Sequence, residues 1–275
     1  MQSHIAFLKS RGVQTGFVPT MGAFHEGHIG LMRRSKKSCS HTVASIFLNH
    51  KQFGPGEDFN RYPRTEKNDI ETLRNLGVDT LFIPNAYSMY PEGFSTYVSV
   101  EEMSAVGEGV SRPSHFRGVT TVVMKLLNIV QPSVLFLGQK DIQQAIIIKR
   151  MVRDMNIISS VKICPTKRDE SGLALSSRNM YLSDEERKSA VALVTALRIV
   201  KSAVRSGETS CKILEQKVRS VFRKFQKANL DYILFVSYDS FTPVKSVYGR
   251  TVAALAAFVG KTRLIDNFIV TPPKR

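Results

Sequence analysis

The chain has 275 residues, 43% hydrophobic, 23% charged and 9% aromatic, which excludes a disordered or fibrous protein and suits one large domain or two modest ones. No stretch approaches the ~20 consecutive apolar residues of a membrane span, the start MQSHIAFLKSRG lacks a signal peptide's charged start and apolar core, and Cys39, Cys164 and Cys211 form no CxxC pair. A cytoplasmic protein without a disulfide framework or zinc knuckle is expected, and the excess of 39 Lys+Arg over 23 Asp+Glu, a net +16, points to a polyanionic partner, either nucleic acid or a phosphate-bearing small molecule.

From the N-terminus, short runs rich in β-branched and aromatic residues alternate with segments of helical period, the pattern of βαβ units around a parallel sheet. GFVPT (16–20), TVASIFLN (42–49), DTLFIP (79–84), SVLFLG (133–138) and SVKICPT (160–166) read as strands. IGLMRRSKK (29–37), the stretch after Arg64, TTVVMKLLNIV (120–130) and DIQQAIIIKRMVRDM (141–155) read as helices. A sheet of this kind binds ligands beyond the carboxyl ends of its strands, where PTMG, FLNHKQF and LGQKD fall. After about Thr166 the loop KRDESGLALSSRN leads to two long amphipathic helices at about 184–205 and 209–228, then to the strand-like runs DYILFVSY, VAALAAFV and TRLIDNFIV. The change of pattern predicts a division into 1–166 and 167–275, the second part a separate α+β unit. The basic excess leans toward that end: residues 201 to 275 hold 14 basic and 5 acidic residues, a net of +9, leaving 25 minus 18, or +7, for the first 200. Its basic segment KVRSVFRKFQK (217–227) has an apolar stripe of Val218, Val221, Phe222 and Phe225, so a solvated basic face is preferred to a nucleic-acid helix.

Four constellations carry chemistry. PTMGAFHEGH (19–28) follows a strand and opens a helix. Gly22 and Gly27 allow tight turns and close backbone approach, and the helix start offers N–H groups and a positive dipole end to phosphate. His25 and His28, three apart, can face one ligand and stabilise charge as an α-phosphate is attacked, although an isolated pair of this kind is more often a helix cap. Asn49 and Gln52, just past a strand end, are neutral groups suited to a hydroxylated substrate, and Asp69 could hold magnesium; ordinary turn chemistry is the alternative for this stretch. In LGQKD, Lys140 is placed to bind phosphate and Asp141 to accept from ribose hydroxyls, with Gln144 one turn into the next helix, where a solvated Lys-Asp pair is the bland reading. In LALSSRNMYLSDEER (173–187), Ser176, Ser177 and Arg178 offer hydroxyls, amides and a guanidinium to triphosphate oxygens, while Ser183 and Glu186 form a capping box downstream. No G-x-S-x-G elbow is present, so nothing suggests a Ser-His-Asp triad.

The His25-Glu26-Gly27-His28 element resembles that of the nucleotidyltransferase superfamily, and the four blocks in order resemble the pantothenate synthetase (pantoate-β-alanine ligase) family. The likeness runs from Gly16 to Asp69, Glu108 to Gln144 and Arg168 to Arg187, and includes the ending GKTRLIDN (260–267). It implies a Rossmann-like N-terminal domain, a smaller C-terminal lid domain, a homodimer, and ATP, pantoate and β-alanine as substrates with magnesium, without nucleic acid or membrane as partner. Pantoate's carboxylate would attack the ATP α-phosphate, giving pantoyl adenylate and pyrophosphate, and β-alanine's amine would then release AMP and pantothenate. By motif position His25, His28 and Lys140 would be catalytic. Pro19, Thr20, Met21, Gly27, His28, Gly138, Lys140, Asp141, Leu175, Ser176, Ser177 and Arg178 would hold ATP. Met21, Asn49, Gln52 and Gln144 would hold pantoate, and Asp69 the metal. The chain departs from the usual family pattern at His50, where Asn-Pro is common, at Leu137 and Gln139 in LGQKD, and at Leu175 before the serine pair. Another nucleotidyltransferase acting on a different acid would share the first motif, and a basic nucleic-acid-binding protein would share the charge.

Overall fold

The computed structural model describes residues 1–273. It contains two compact units: Met1–Gln139 with Ile147–Pro165, and Lys140–Ile146 with Thr166 onward. Against a single cut at residue 166, the short segment Lys140–Ile146 goes with the second unit, where the Asn267 side chain donates to the Lys140 carbonyl at 2.8 Å.

In the first unit the chain forms α1 (Gln2–Ser10), β1 (Thr15–Thr20), α2 (Glu26–Ser38), β2 (His41–Ile46), α3 (Glu66–Leu76) and β3 (Thr80–Phe82). Three single turns, α4 (Ala86–Met89), α5 (Glu101–Ser104) and α6 (Glu108–Ser111), lead to α7 (His115–Val130), β4 (Val134–Gly138), α8 (Ile142–Asp154), of which the part from Ile147 belongs to this unit, and β5 (Ser160–Cys164). The five strands make one parallel sheet in the order β3-β2-β1-β4-β5, as the alternating pattern requires. β1 is central: it pairs with β2 from Thr15↔His41 to Thr20↔Ile46, and with β4 at Gly16↔Val134 and Phe17↔Leu135. The order reverses between β1 and β4, which is where an open α/β sheet leaves a crevice at its carboxyl edge. α7 is buried nearly all round, through Phe116, Val119, Val122, Val123, Leu126, Leu127 and Val130, so its apolar composition exceeds one stripe. Gly118 lets it approach the single turn His50–Gln52, since a Cβ there would stand 2.2 Å from the Lys51 carbonyl oxygen.

The second unit carries α9 (Asp184–Arg205), α10 (Cys211–Phe222), β6 (Ala228–Ser237), β7 (Thr251–Val259) and β8 (Thr262–Val270). Its strands form an antiparallel sheet in the order β6-β7-β8. The face of α9 bearing Leu193, Leu197 and Val200 joins Leu214 and Val218 of α10 and Leu255 of β7 in one core. The capping box is formed: Ser183 Oγ accepts from the Glu186 amide at 3.3 Å, and Glu186 accepts from the Ser183 amide at 2.8 Å. One helix boundary is corrected and one helix is added. α10 ends at Phe222 rather than near 228, because the Lys224 and Phe225 amides turn back to Val221 and Phe222, and β6 begins pairing at Ala228↔Val259. α1 has too short an apolar signal to stand out, only Ile5 and Leu8 being buried. Val218, Val221 and Phe222 are buried as the stripe predicts, and the basic face of α10 is solvated, with Arg219 paired to Glu215 at 2.7 Å. Cys39, Cys164 and Cys211 are free and buried. Among the described residues no helix is long and apolar enough to cross a membrane.

Candidate active site

β1 ends at Thr20, whose hydroxyl donates to the Ser45 carbonyl at 2.7 Å and accepts from the Gly22 amide at 3.3 Å. The chain then turns through the left-handed region twice, at Gly22 (φ 86°) and at Ala23 (φ 52°). An alanine there carries a cost of about 1 kcal/mol or more. Asp69, on the first turn of α3 and only 1% exposed, offsets it: one carboxylate oxygen accepts from Ala23 N at 2.8 Å and the other from Phe24 N at 2.9 Å. Both carboxylate oxygens of Asp69, the residue expected to meet the metal, therefore accept from the loop. Its oxygens already serve the loop, and no group of three or more His, Cys, Asp or Glu side chains that could hold a metal occurs among the described residues.

The loop delivers His25 as the N-cap of α2. His25 Nδ1 accepts from the Gly27 amide at 3.0 Å, and His28 Nδ1 accepts from the His25 amide at 3.4 Å, with the ring centroids 4.2 Å apart. A ring nitrogen that accepts from a backbone N–H carries no proton, so in the neutral ring the proton sits on Nε2. The cap and the ring tautomers are therefore one arrangement: the backbone bonds at Nδ1 orient both rings and leave the proton of each neutral ring on Nε2. Gly27 is needed for space, since a Cβ there would lie 2.7 Å from His25 Nδ1.

Beside this loop the structure brings Met21, Asn49 and Gln52 together. Gln52 Nε2 donates to Met21 Sδ at 3.0 Å and its Oε1 accepts from Asn49 Nδ2 at 3.1 Å. Asn49, 1% exposed, also donates to the Gly118 carbonyl at 3.1 Å and accepts from the Lys51 amide at 3.3 Å and the Tyr90 hydroxyl at 2.8 Å. That saturates a side-chain amide, so Asn49 is fully engaged within the protein and fixes the position of the Gln52 side chain. Tyr90 was invisible in the sequence because it ends a single helical turn with no period. Burial, with Tyr97 nearby, pushes its phenol well above the ordinary range, so it remains a donor. His50, in place of the family's usual proline, packs edge-on against the Tyr90 ring at 5.2 Å, and burial followed by the Lys51 charge lowers its pKa.

A second support, also missed, reaches Gln52 from its backbone. His115 Nδ1 lies 2.9 Å from the Gln52 carbonyl and its Nε2 lies 3.2 Å from Arg112, whose guanidinium pairs with both carboxylate oxygens of Glu57. A carbonyl only accepts and a guanidinium only donates, so His115 is the neutral Nδ1–H tautomer. Burial first and Arg112 second push its pKa down to about 4. Burial alone would raise Glu57, but the Arg112 bonds and nearby charges outweigh it and leave the carboxyl below its ordinary range. The one available signal was Arg112-Pro113-Ser114-His115 at a helix start, where no ligand logic singles it out.

The other sequence-predicted residues divide between the units. Pro19 pairs with Ser45 within β1 and β2, and Gly138 closes β4 with nothing within 4 Å of where a Cβ would be. In the second unit Lys140 Nζ lies 3.1 Å from Asp141, and Gln144 is half-buried on the first turn of α8. Ser176 caps the turn Ser177–Tyr181 by accepting from the Arg178 amide at 3.2 Å, Ser177 is buried, and Leu175 N donates to the Lys167 carbonyl at 3.0 Å.

A family model described as pantoate-beta-alanine ligase matches residues 1–269. The chain belongs to the pantoate-β-alanine ligase family. This ligase is 47% identical over 270 residues to the pantothenate synthetase of Caldicellulosiruptor saccharolyticus, covering 98% of this chain and 96% of that one. It is 50% identical over 255 residues to the pantothenate synthetase of Pseudothermotoga lettingae, covering 93% and 91%. Among solved structures, pantothenate synthetase from Thermus thermophilus superimposes with a TM-score of 0.91 at 41% identity, over 98% of both chains. Pantoate-beta-alanine ligase from Francisella tularensis, complexed with beta-gamma ATP and beta-alanine, gives 0.79 at 36% identity, over 96% of this chain and 94% of that one.

The buried His115 makes the ligase sensitive to acid in a defined window. Its folded pKa of about 4 lies below the ordinary 6.5, so the unfolded chain takes up the proton first and stability falls as pH drops from about 6.5 toward 4. The loss through this group reaches about 3 kcal/mol at the lower end, and His115→Asn removes most of it. Urea unfolding midpoints across that range read this directly; equal slopes for the two proteins contradict it.

Proposed function

We propose that the chain joins pantoate to β-alanine in two steps through pantoyl adenylate. In the first, a pantoate carboxylate oxygen attacks the α-phosphorus of ATP and the bond to the β-phosphate bridging oxygen breaks, releasing pyrophosphate. In the second, the amine of β-alanine attacks the acyl carbon of the mixed anhydride, AMP leaves, and the amine's proton passes to solvent. The observation that carries the reading is the His25-His28 pair, whose Nδ1 atoms are fixed by backbone amides so that Nε2–H groups serve as donors to phosphate oxygens. Donors already oriented before charge develops are the main resource for such a transfer, because no protein nucleophile takes part.

Gln52, backed by Asn49 and set against Met21, is read as the pantoate contact, with Gln144 as a further one. Lys140, Ser176, Ser177 and Arg178 are assigned to the phosphates, and Pro19, Thr20, Gly27, Gly138, Asp141 and Leu175 to the nucleotide. The nucleotide and β-alanine in the Francisella complex support these substrates for this chain. Magnesium is read as arriving with ATP as part of the substrate, since Asp69 is engaged by the loop and no step is assigned to an ion held by it. A cytoplasmic homodimer belongs to the same proposal; light scattering that returns a single-chain mass at micromolar concentration removes the dimer.

Pyrophosphate exchange into ATP should require pantoate, and exchange without pantoate rejects the reading in favour of another acid. His28→Ala should lower the pantoate-dependent exchange rate by about 10²-fold or more with the fold intact, as loss of a transition-state donor does. Wild-type turnover in that variant refutes the role. Asp69→Asn puts donors against the loop amides and should cost about 1 to 3 kcal/mol of stability. The magnesium concentration giving half-maximal activity should stay within about twofold of wild type; a shift of an order of magnitude would return Asp69 to the metal.

A further inference from the structure

We infer that Asn267, in β8, is a positioning residue that fixes the backbone root of Lys140, and that with Asp266 it ties both phosphate-directed segments of the second unit to one strand. The inference rests on the reading of Lys140 as a phosphate ligand. β8 is apolar around this point, with Leu264, Ile265, Phe268, Ile269 and Val270, yet Asp266 is 3% exposed and Asn267 1% exposed. Buried polar side chains at neighbouring strand positions need partners, and these find them in two different places.

Asn267 Nδ2 donates to the Lys140 carbonyl at 2.8 Å, across 127 positions of sequence. Lys140 lies in the single turn Gln139–Asp141 that precedes α8, where its carbonyl is claimed by a side chain rather than by the helix ladder alone. A lysine has a long flexible stem, so the direction in which its ammonium can be held depends on a fixed root. Asp266 faces the other segment. Its carboxylate receives Arg168 through two bonds, 2.6 and 2.8 Å, and the Asn267 amide at 2.7 Å. Arg168 also donates to the Gly172 carbonyl at 3.0 Å. The same residue bridges Ala174 across a short hairpin, which Leu175 N closes onto the Lys167 carbonyl at 3.0 Å and which runs directly into Ser176, Ser177 and Arg178. Asp266 and Asn267 thus hold the approach to the serine loop with one side chain and the Lys140 turn with the next. This gives the ending GKTRLIDN a task that no ligand-contact reading supplies.

A purely structural pair would lower activity only as far as it lowered stability, and by the same factor whatever occupied position 140. A positioning residue acts through Lys140 and loses its effect when the lysine is gone. The experiment is a double-mutant cycle on pantoate-dependent pyrophosphate exchange at saturating substrates, using the full chain. Asn267→Ala is expected to lower the maximal exchange rate about tenfold while the pantoate KM stays within about twofold. In a Lys140→Ala background the same change should cost less than about twofold further. Asn267→Asp, which keeps the shape and removes the donor, should behave like the alanine and serves if that variant does not fold. Wild-type exchange in either Asn267 variant overturns the inference, and so do equal losses in the two backgrounds. Wild-type exchange in Lys140→Ala alone overturns the Lys140 reading itself, a failure recognised without any change at Asn267, and the inference falls with it.

Discussion

The loop between β1 and α2 depends on one carboxylate. Asp69 accepts from two successive backbone amides, Ala23 and Phe24, at a point where the chain has a non-glycine residue in the left-handed region. Gly22 and its bond to the Thr20 hydroxyl help the chain into the turn, but the left-handed Ala23 rests on Asp69, and the turn leads to His25, the N-cap of α2. With them the helix start, the two caps and the tautomers of both histidines follow in order. Asp69, expected from the sequence as a metal ligand, accepts from the protein's own amides, a use of negative charge that motif spacing does not distinguish from metal binding.

The same economy recurs around Gln52. The side chains in contact with that of Gln52, Met21 and Asn49, are neutral, and the charges gather at its backbone: Arg112 pairs with Glu57 and donates to the Gln52 carbonyl at 3.4 Å, with the uncharged His115 Nδ1 at 2.9 Å from the same oxygen. A charged group buried directly at the pocket would carry a large desolvation cost and would repel or over-stabilise an anionic substrate in its ground state. Neutral donors held in place cost less, and on the proposed reaction they retain their direction when a carboxylate becomes a mixed anhydride with phosphate. His50 fits this logic. In place of a proline it packs edge-on against Tyr90, and burial, followed by the Lys51 charge, lowers its pKa.

The sheet was legible because each strand is a compact apolar run ending in a motif, and β1 to β5 all lie where those runs are. The second unit was legible as helices then strands, apart from the end of α10, where apolar Phe225 continues the stripe although the chain has already turned to enter β6. Among the residues proposed for function, those adjacent in sequence to a recognisable pattern were singled out: His25, His28, Asn49, Gln52 and the serine pair. The residues that hold them were not. Tyr90, His115, Glu57 and Asn267 act over separations of 41, 63, 55 and 127 positions, measured to Asn49, Gln52, Arg112 and Lys140 respectively. Nothing in a single sequence encodes a partner at that distance, and each of these residue types is commonplace where it stands.

Net charge belongs to a different length scale from any of these contacts. The +16 of the chain is far larger than the few cations assigned to phosphate, and α10 shows part of it solvated or paired locally, as with Arg219 and Glu215. A diffuse positive field draws anions such as ATP and pantoate toward the protein without choosing between them, and its reach is about a Debye length, roughly 10 Å at moderate salt. Choice requires directed donors within hydrogen-bond range, and those in the first unit are neutral imidazoles and amides fixed by the backbone. The two tasks are thereby carried by different atoms: excess lysine and arginine can vary over the surface with little consequence for selectivity, whereas a single reversed amide at Asn49 would place donor against donor at Tyr90 and acceptor against acceptor at Gly118.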